Sequence, residues 1–377
     1  MEYKKIKEIN EYKSESINPM KTPDTMYELY SVPFFTTGHP EYLHGSEIGS
    51  SKVTVQKNDI LVCKINPRIN RVWVVADESN YQSIASSEWI VVRTAQYNPY
   101  FLSWYFRTPM FQQLMTSEVT GIGGSLTRAQ PKRVVEYPVP VLSREKQDKI
   151  VSILDRLESI KRERKSELDL LDSLVKARFV EMFGSQRKSC DLSSYIHELR
   201  SGKSLAGSEV CKNKVLKTGA ATFGWFDPNQ YKYLPNDYQP LPEHRVETGD
   251  LMISRMNTPN LVGACSYVFK APEDMYYPDR LWKVIPTEKT NLIFLWQLLW
   301  DDEVRRQIKE KASGTSGTMH NISKARLLKV KCIDVPIEIQ NQYANDVVHV
   351  VKSKSVIQKS LDETQILFQS LMQEYFG

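Results

Sequence analysis

The sequence predicts an α+β fold made twice, each copy closing with a long helix. Three observations predict it. First, "VQKNDILVCKIN", Val55 to Asn66, lies over "VETGDLMISRMN", Val246 to Asn257, apolar on apolar, with Asp59 on Asp250, Lys64 on Arg255 and Asn66 on Asn257 at an offset of 191. Gly121 and Gly124 fall on Gly314 and Gly317, and Gly184 falls on Gly377, at an offset of 193. Second, short strand-like runs precede helical ones in each half. Third, each half ends in a stretch free of proline and glycine, between Ser143 and Phe183 and between Ile337 and Phe376. The implied layout is a mixed domain at 1–142, a helix at 143–185, a second mixed domain at 186–336 and a second helix at 337–377, related as an internal pseudo-two-fold repeat.

In the first mixed domain the strand-like runs are "VTV" at Val53, "DILVCKI" at Asp59, "RVWVVA" at Arg71 and "EWIVVR" at Glu88, bounded by Gly, Pro, Asn and Ser clusters. Asp59 and Asp250 are expected to close the turn into their strands. The stretches Tyr100 to Met115 and Ile293 to Ile308 then carry large side chains at helical spacing. In the second domain "HRVETGDLMISRM" is the clearest turn and strand. Trp73, Trp89, Trp225 and Trp282 read as core, with Trp89 and Trp282 matching at an offset of 193 inside apolar runs.

The two helical stretches are the most regular part of the chain. Positions Ile150, Leu154, Leu157, Lys161, Arg164, Leu168, Leu171, Val175, Arg178 and Met182 alternate four-three, as a heptad seam does. At an offset of 193 stand Tyr343, Val347, Val350, Lys354, Ile357, Leu361, Thr364, Phe368, Leu371 and Tyr375. A helix of this kind reaches ~58 Å at 1.5 Å per residue. Its apolar stripe needs a cover, and the other copy is the obvious one. Antiparallel pairing of the two as a coiled-coil spacer would place the mixed domains at opposite ends of a rod of fixed length. The alternative is a coiled-coil scaffold or oligomerisation protein without DNA specificity.

Composition narrows the function. The chain has 377 residues, 41% apolar, enough for each half to bury a core. Its longest apolar run, "IFLWQLLW", is far short of a membrane span, and no apolar signal region follows "MEYKKIKEIN", so a cytoplasmic protein is expected. Five scattered cysteines, with no Cys-x-x-Cys pair, argue against a disulfide framework and a zinc site. A net charge of +5 suits nucleic acid without requiring it. Phosphate-binding and methyl-transfer motifs are missing, and the six histidines, His39 and His44 included, show no metal-ligand spacing. The expectation is therefore binding without catalysis, cofactor or metal.

Two features could bind. The matched strand motif puts a basic residue and an asparagine just past a buried strand, at Lys64 and Asn66 and at Arg255 and Asn257, and these side chains suit base edges and phosphates. The glycine loops "GIGGSLTRAQPKR" and "GTSGTMHNISKARLLK" combine backbone able to approach a phosphate with hydroxyls and nearby bases.

At this point the chain resembles a known family. The duplicated α+β domains, the "GIGGS…VP…EKQ" and "GTSGT…VP…EIQ" passages, and the helix endings "LLDSLVKARFVEMFG" and "ILFQSLMQEYFG" are similar to the specificity subunit of type I restriction-modification systems. The resemblance implies that each mixed domain is a target-recognition domain reading one half of a split sequence in double-stranded DNA. It implies that the helices pack antiparallel as a spacer and dock two methyltransferase subunits, joined by the restriction, or motor-endonuclease, subunits. The contact residues it points to are Lys64, Asn66, Arg68, Arg71, Gly123, Gly124, Ser125 and Arg128 in the first domain. In the second they are Arg255, Asn257, Asn260, Gly317, Thr318 and Lys324.

Overall fold

The computed structural model describes residues 2–76, 79–120, 127–316 and 319–377. It divides into two compact units, Met1–Lys165 with Lys359–Gly377, and Ser166–Gln358. Both are mixed α/β.

The first unit is organised by the apolar run Ile60–Cys63, paired antiparallel with Val72–Val74 on one side and Trp89–Val92 on the other. Successive side chains of a strand point to opposite faces, so Ile60 and Val62 look one way and Leu61 and Cys63 the other. Both faces are covered, which is why the run is continuously apolar rather than alternating. Ile60, Val62, Ile90 and Val92 pack with Phe101, Phe106 and Phe111 of the following helices and with Ile150 and Leu154. Leu61, Cys63 and Trp89 pack with Tyr30 and Val75. A five-stranded sheet adds Ser16–Ile17, Lys52–Thr54, Gln82–Ser86, Met26–Tyr30 and Glu41–His44, in that spatial order. The helical stretch from Tyr100 to Met115 is two helices, Pro99–Phe106 and Pro109–Ser117. Pro109 has no N–H to continue the first, and the Thr108 hydroxyl caps the second by accepting from Phe111 N at 3.2 Å.

The second unit repeats this plan. Leu251–Ser254 lies between Leu281–Pro286 and Cys265–Tyr267, and Ile196–Ser201 adds a fourth strand beside Leu281–Pro286. Its helical stretch is also broken, into Leu292–Leu298 and Asp302–Lys311, here by the Asp301 carboxylate accepting from Glu303 N and Val304 N. Two smaller three-stranded sheets and the pair Ser189–Asp191 with Lys331–Ile333 complete it.

One expectation is corrected. Trp89 and Trp282 are both buried, but they are not equivalent. Trp89 stands opposite Cys63, whereas Trp282 stands opposite Ile253, the counterpart of Val62. The ladders therefore match Glu88–Val92 to Arg280–Val284 at an offset of 192, and the two indoles face opposite sides of their strands. Trp282 joins the core built with the helices. Trp73 and Trp225 are only half-buried at the edges of their cores.

The long helices are Arg144–Phe183 and Ile337–Phe376, 40 residues each. Every seam position predicted from the heptads is buried or half-buried, including Leu157, Leu168, Leu171, Ile357 and Leu361. In the first unit Ile150 and Leu154 share a core with Phe368, Leu371 and Phe376, and the Lys161 ammonium lies 4.3 Å over the Phe368 ring. In the second, Val175, Phe183, Tyr343 and Val347 share a core with Val350 at its margin, and Lys354 lies 3.9 Å over Trp225 while pairing with Asp172 at 2.5 Å. Among the described residues no helix is long and apolar enough to cross a membrane.

Candidate nucleic-acid interface

Each central strand is entered by a tight turn held by a buried aspartate. Asp59, fully buried, accepts from Gln56 N at 2.9 Å and takes a two-pronged ion pair from Arg93 at 2.7 Å. Asp250 accepts from Glu247 N at 2.9 Å, from the Tyr277 hydroxyl at 3.2 Å and from Lys283 at 2.9 Å. Burial, reinforced by the Asp250 charge, pushes the Tyr277 hydroxyl well above its ordinary value, so it remains a donor to that carboxylate. The turn role expected of both aspartates is what the structure shows. The cations that balance them come from different ladder positions, and sequence comparison does not find them.

With its entrance fixed, the exit of each strand is fixed too. In the first unit Lys64 N donates to Glu88 O at 3.0 Å, Ala129 N donates to Lys64 O at 2.9 Å, and Asn66 N donates to Thr127 O at 2.7 Å. The strand end and the residues just past the glycine loop, more than sixty positions later in the chain, thus form one small cradle. Asn66 turns the chain with φ of 45°, a conformation asparagine tolerates better than most residues. Gln112 holds the segment that follows, donating to Pro67 O at 2.6 Å and Arg68 O at 2.9 Å. Lys64, Asn66 and Arg71 are half-buried and Arg68 is exposed. Arg128 is clamped by the Glu88 carboxylate, with Nε and Nη2 each at 3.1 Å. Gly123, Gly124 and Ser125 lie outside the described residues.

The second unit builds the same cradle. Arg255 N donates to Arg280 O at 3.0 Å and Ile322 N donates to Arg255 O at 3.0 Å. Met256 and Asn257 pair antiparallel with Asn321 and His320. Arg255 and Asn257 are half-buried at the exit, and Lys324 is exposed on the short helix Lys324–Leu328 beyond it. Asn260 is turned to a structural task, its side-chain oxygen accepting from Lys309 and its carbonyl from Arg305, both at 3.0 Å. Gly317 and Thr318 lie outside the described residues. Arg255 Nε, His320 Nδ1 and Asn321 Oδ1 are buried without a hydrogen-bond partner, as is Arg71 Nη1 in the first unit. Among the described residues no group of three or more His, Cys, Asp or Glu side chains could hold a metal ion.

Glu88, Arg280, His320 and Asn321 are cradle residues that sequence reasoning missed. No sequence signal finds the first two, because the continuously apolar strands that follow them fit more than one offset and only the ladders fix the pairing.

Residues 1–170 match the family model for the type I restriction modification DNA specificity domain. Those residues belong to that domain family. The chain is also 22% identical over 200 residues to the type I restriction enzyme EcoKI specificity subunit of Escherichia coli (strain K12); the match covers 48% of this chain and 43% of that protein, so it spans less than half of the relative's length. Among solved structures, the S subunit of a type I restriction-modification system from M. genitalium matches with a TM-score of 0.64 at 14% identity, over 100% of this chain and 96% of that one. A chain from a structure of type I R-M system assembly and conformational transition matches with a TM-score of 0.58 at 18% identity, over 100% and 97%. At these identities the two likenesses establish the fold alone, a mixed α/β architecture carrying a long C-terminal helix.

Proposed function

We propose that this chain is the sequence-specific DNA-binding subunit of a type I restriction-modification complex. The domains at 1–142 and 186–336 each read one half of an asymmetric, bipartite target in double-stranded DNA. The observation that carries the reading is the repeated cradle: in both units a basic residue and an asparagine leave a rigid strand and are tied to the segment after the glycine loop, so side chains suited to base edges and phosphates stand on a fixed frame. The two cradles carry different side chains, and different readers imply different half-sites.

The helices at 143–185 and 337–377 serve as an antiparallel spacer and as the docking surface for two methyltransferase subunits, which restriction subunits join. Antiparallel pairing is supported by the ion pairs Asp172–Lys354 and Arg178–Asp346, whose partners advance along one helix as they retreat along the other. The subunit itself is not the catalyst; methyl transfer and cleavage belong to its partners. Half-sites about one turn of B-DNA apart, ~34 Å, fit such a spacer.

Mapping methylated adenines in DNA from cells carrying this chain and its methyltransferase partner tests the reading. The expected motif has two unlike halves and a non-specific gap. A continuous site, or a palindrome with identical halves, would overturn it. Binding should also fall steeply as salt rises, which a scaffold without DNA affinity would not show.

A further inference from the structure

The two cradles share a backbone and differ in charge at one position. Lys64 N bonds to Glu88 O and Arg255 N bonds to Arg280 O, both at 3.0 Å, and the strand ladders running on from those residues keep the same register. Glu88 and Arg280 are therefore structural equivalents. By the same bonds Arg128 and Asn321 are equivalents, since each directly precedes the residue whose N–H reaches the Lys64 or Arg255 carbonyl.

The chemistry at these paired positions is opposite. In the first cradle Glu88 and Arg128 satisfy each other through a two-pronged ion pair, leaving a locked unit with no net charge. In the second the partners are Arg280 and Asn321. Arg280 is exposed, and among the described residues no hydrogen bond or ion pair engages its side chain. On the strands paired around it, Arg255 Nε, His320 Nδ1 and Asn321 Oδ1 are buried and unpartnered. Buried polar atoms are ordinarily satisfied, so each of these, with His320 and Asn321 on opposite faces of one strand, is a group that a ligand can complete. Rotating these side chains toward a ligand breaks no hydrogen bond at those atoms.

We propose that the position shared by Glu88 and Arg280 sets what each cradle accepts from DNA. Arg280, with the unpartnered Arg255 Nε on the paired strand, makes the second cradle a binder of acceptor-rich groups, whether phosphate oxygens or the O6/N7 edge of guanine. Glu88 makes the first cradle charge-neutral by cancelling Arg128. The second unit then supplies more of the electrostatic affinity, and the two halves of the target are told apart by this one position. This inference rests on the DNA-reading function proposed above.

The test uses the whole chain with its methyltransferase partner and a duplex carrying the mapped target. Arg280→Glu, at an exposed site, is expected to weaken binding by about 5- to 150-fold and to reduce the salt dependence. A base change confined to one half-site, the same half altered by Arg255→Ala, identifies a base-edge contact, and uniform weakening identifies a phosphate contact; both support the proposal. Glu88→Gln removes the negative charge paired with Arg128, so it should tighten binding and steepen the salt slope by about one unit. Any base change it causes should fall in the other half. Unchanged affinity and motif in Arg280→Glu beside a normal wild type would remove this inference alone, as would both variants altering the same half. A wild-type complex indifferent to salt and sequence would remove the DNA reading, and the inference with it.

Discussion

Gln147 and Gln340 are buried polar side chains near the start of the two long helices, 1% and 0% exposed, and replacing them should uncouple each helix from the domain before it. Gln147 accepts from Asn98 N at 2.8 Å and donates to Leu142 O at 2.8 Å. Asn98 is the cap of the helix Pro99–Phe106, and its side chain also donates to Asp148 at 2.7 Å. Offset by 193, Gln340 accepts from Asn291 N at 2.9 Å and donates to Val335 O at 2.7 Å and Lys289 O at 3.0 Å. Gln147→Leu keeps the volume and leaves one backbone N–H and one carbonyl without partners. At 1–3 kcal/mol for each orphaned group the cost is about 2–6 kcal/mol. Gln340→Leu orphans three groups and should cost about 1–3 kcal/mol more. Hydrogen exchange resolves this locally: an opening made 2–4 kcal/mol easier raises exchange across Pro99–Phe106 by about 30- to 1,000-fold. Exposed Gln113→Leu is the control. Equal exchange in Gln147→Leu and the control, or a smaller effect for Gln340→Leu than for Gln147→Leu, would refute the reasoning.

Two further outcomes follow from the packing. Lys354→Met removes both the ion pair with Asp172 and the ammonium over Trp225, while keeping the aliphatic stem. Because Asp172 is partly open to solvent, a loss of only about 1 kcal/mol is expected in chemical unfolding of the full chain, and a gain in stability would contradict the cation–π assignment. Burial pushes the Cys265 thiol up to about 12. The folded state therefore holds the proton more tightly than the unfolded chain, whose thiols titrate near 8.5, so stability from this site is complete below about pH 8.5 and is lost as pH climbs toward 12. Below pH 8.5 Cys265 should resist iodoacetamide in the folded protein, as read by mass spectrometry, and rapid labelling there would disprove its burial.

Much of this architecture is legible in the chain because it is local. The turn aspartates, the buried central strands and the heptad seams each declare themselves within a dozen residues or by simple repetition. What escapes is what tertiary pairing decides. Met26–Tyr30 runs parallel to Gln82–Ser86, a pairing across fifty residues that no local pattern announces. Arg128 reads as a free cation until the fold brings Glu88 to it from forty residues upstream. The break at Thr108 was written in Pro109, but helical spacing on either side hides it. At the interface the motifs Lys64–Asn66 and Arg255–Asn257 stand out in sequence, whereas their union with the residues past the glycine loops is a property of the folded cradle.

The one-step difference between the ladder offset and the tryptophan offset has a practical consequence for hybrid proteins. Moving the strand at 88–92 into the second unit by aligning tryptophans would place Trp89 where Trp282 now stands and turn every transplanted side chain to the wrong face. The graft would bury Glu88 or expose Ile90, and it would fail for reasons unrelated to recognition. Spliced by ladder position instead, the same five residues carry their inward and outward faces with them, and the exchange becomes a clean transfer of reading chemistry between two scaffolds.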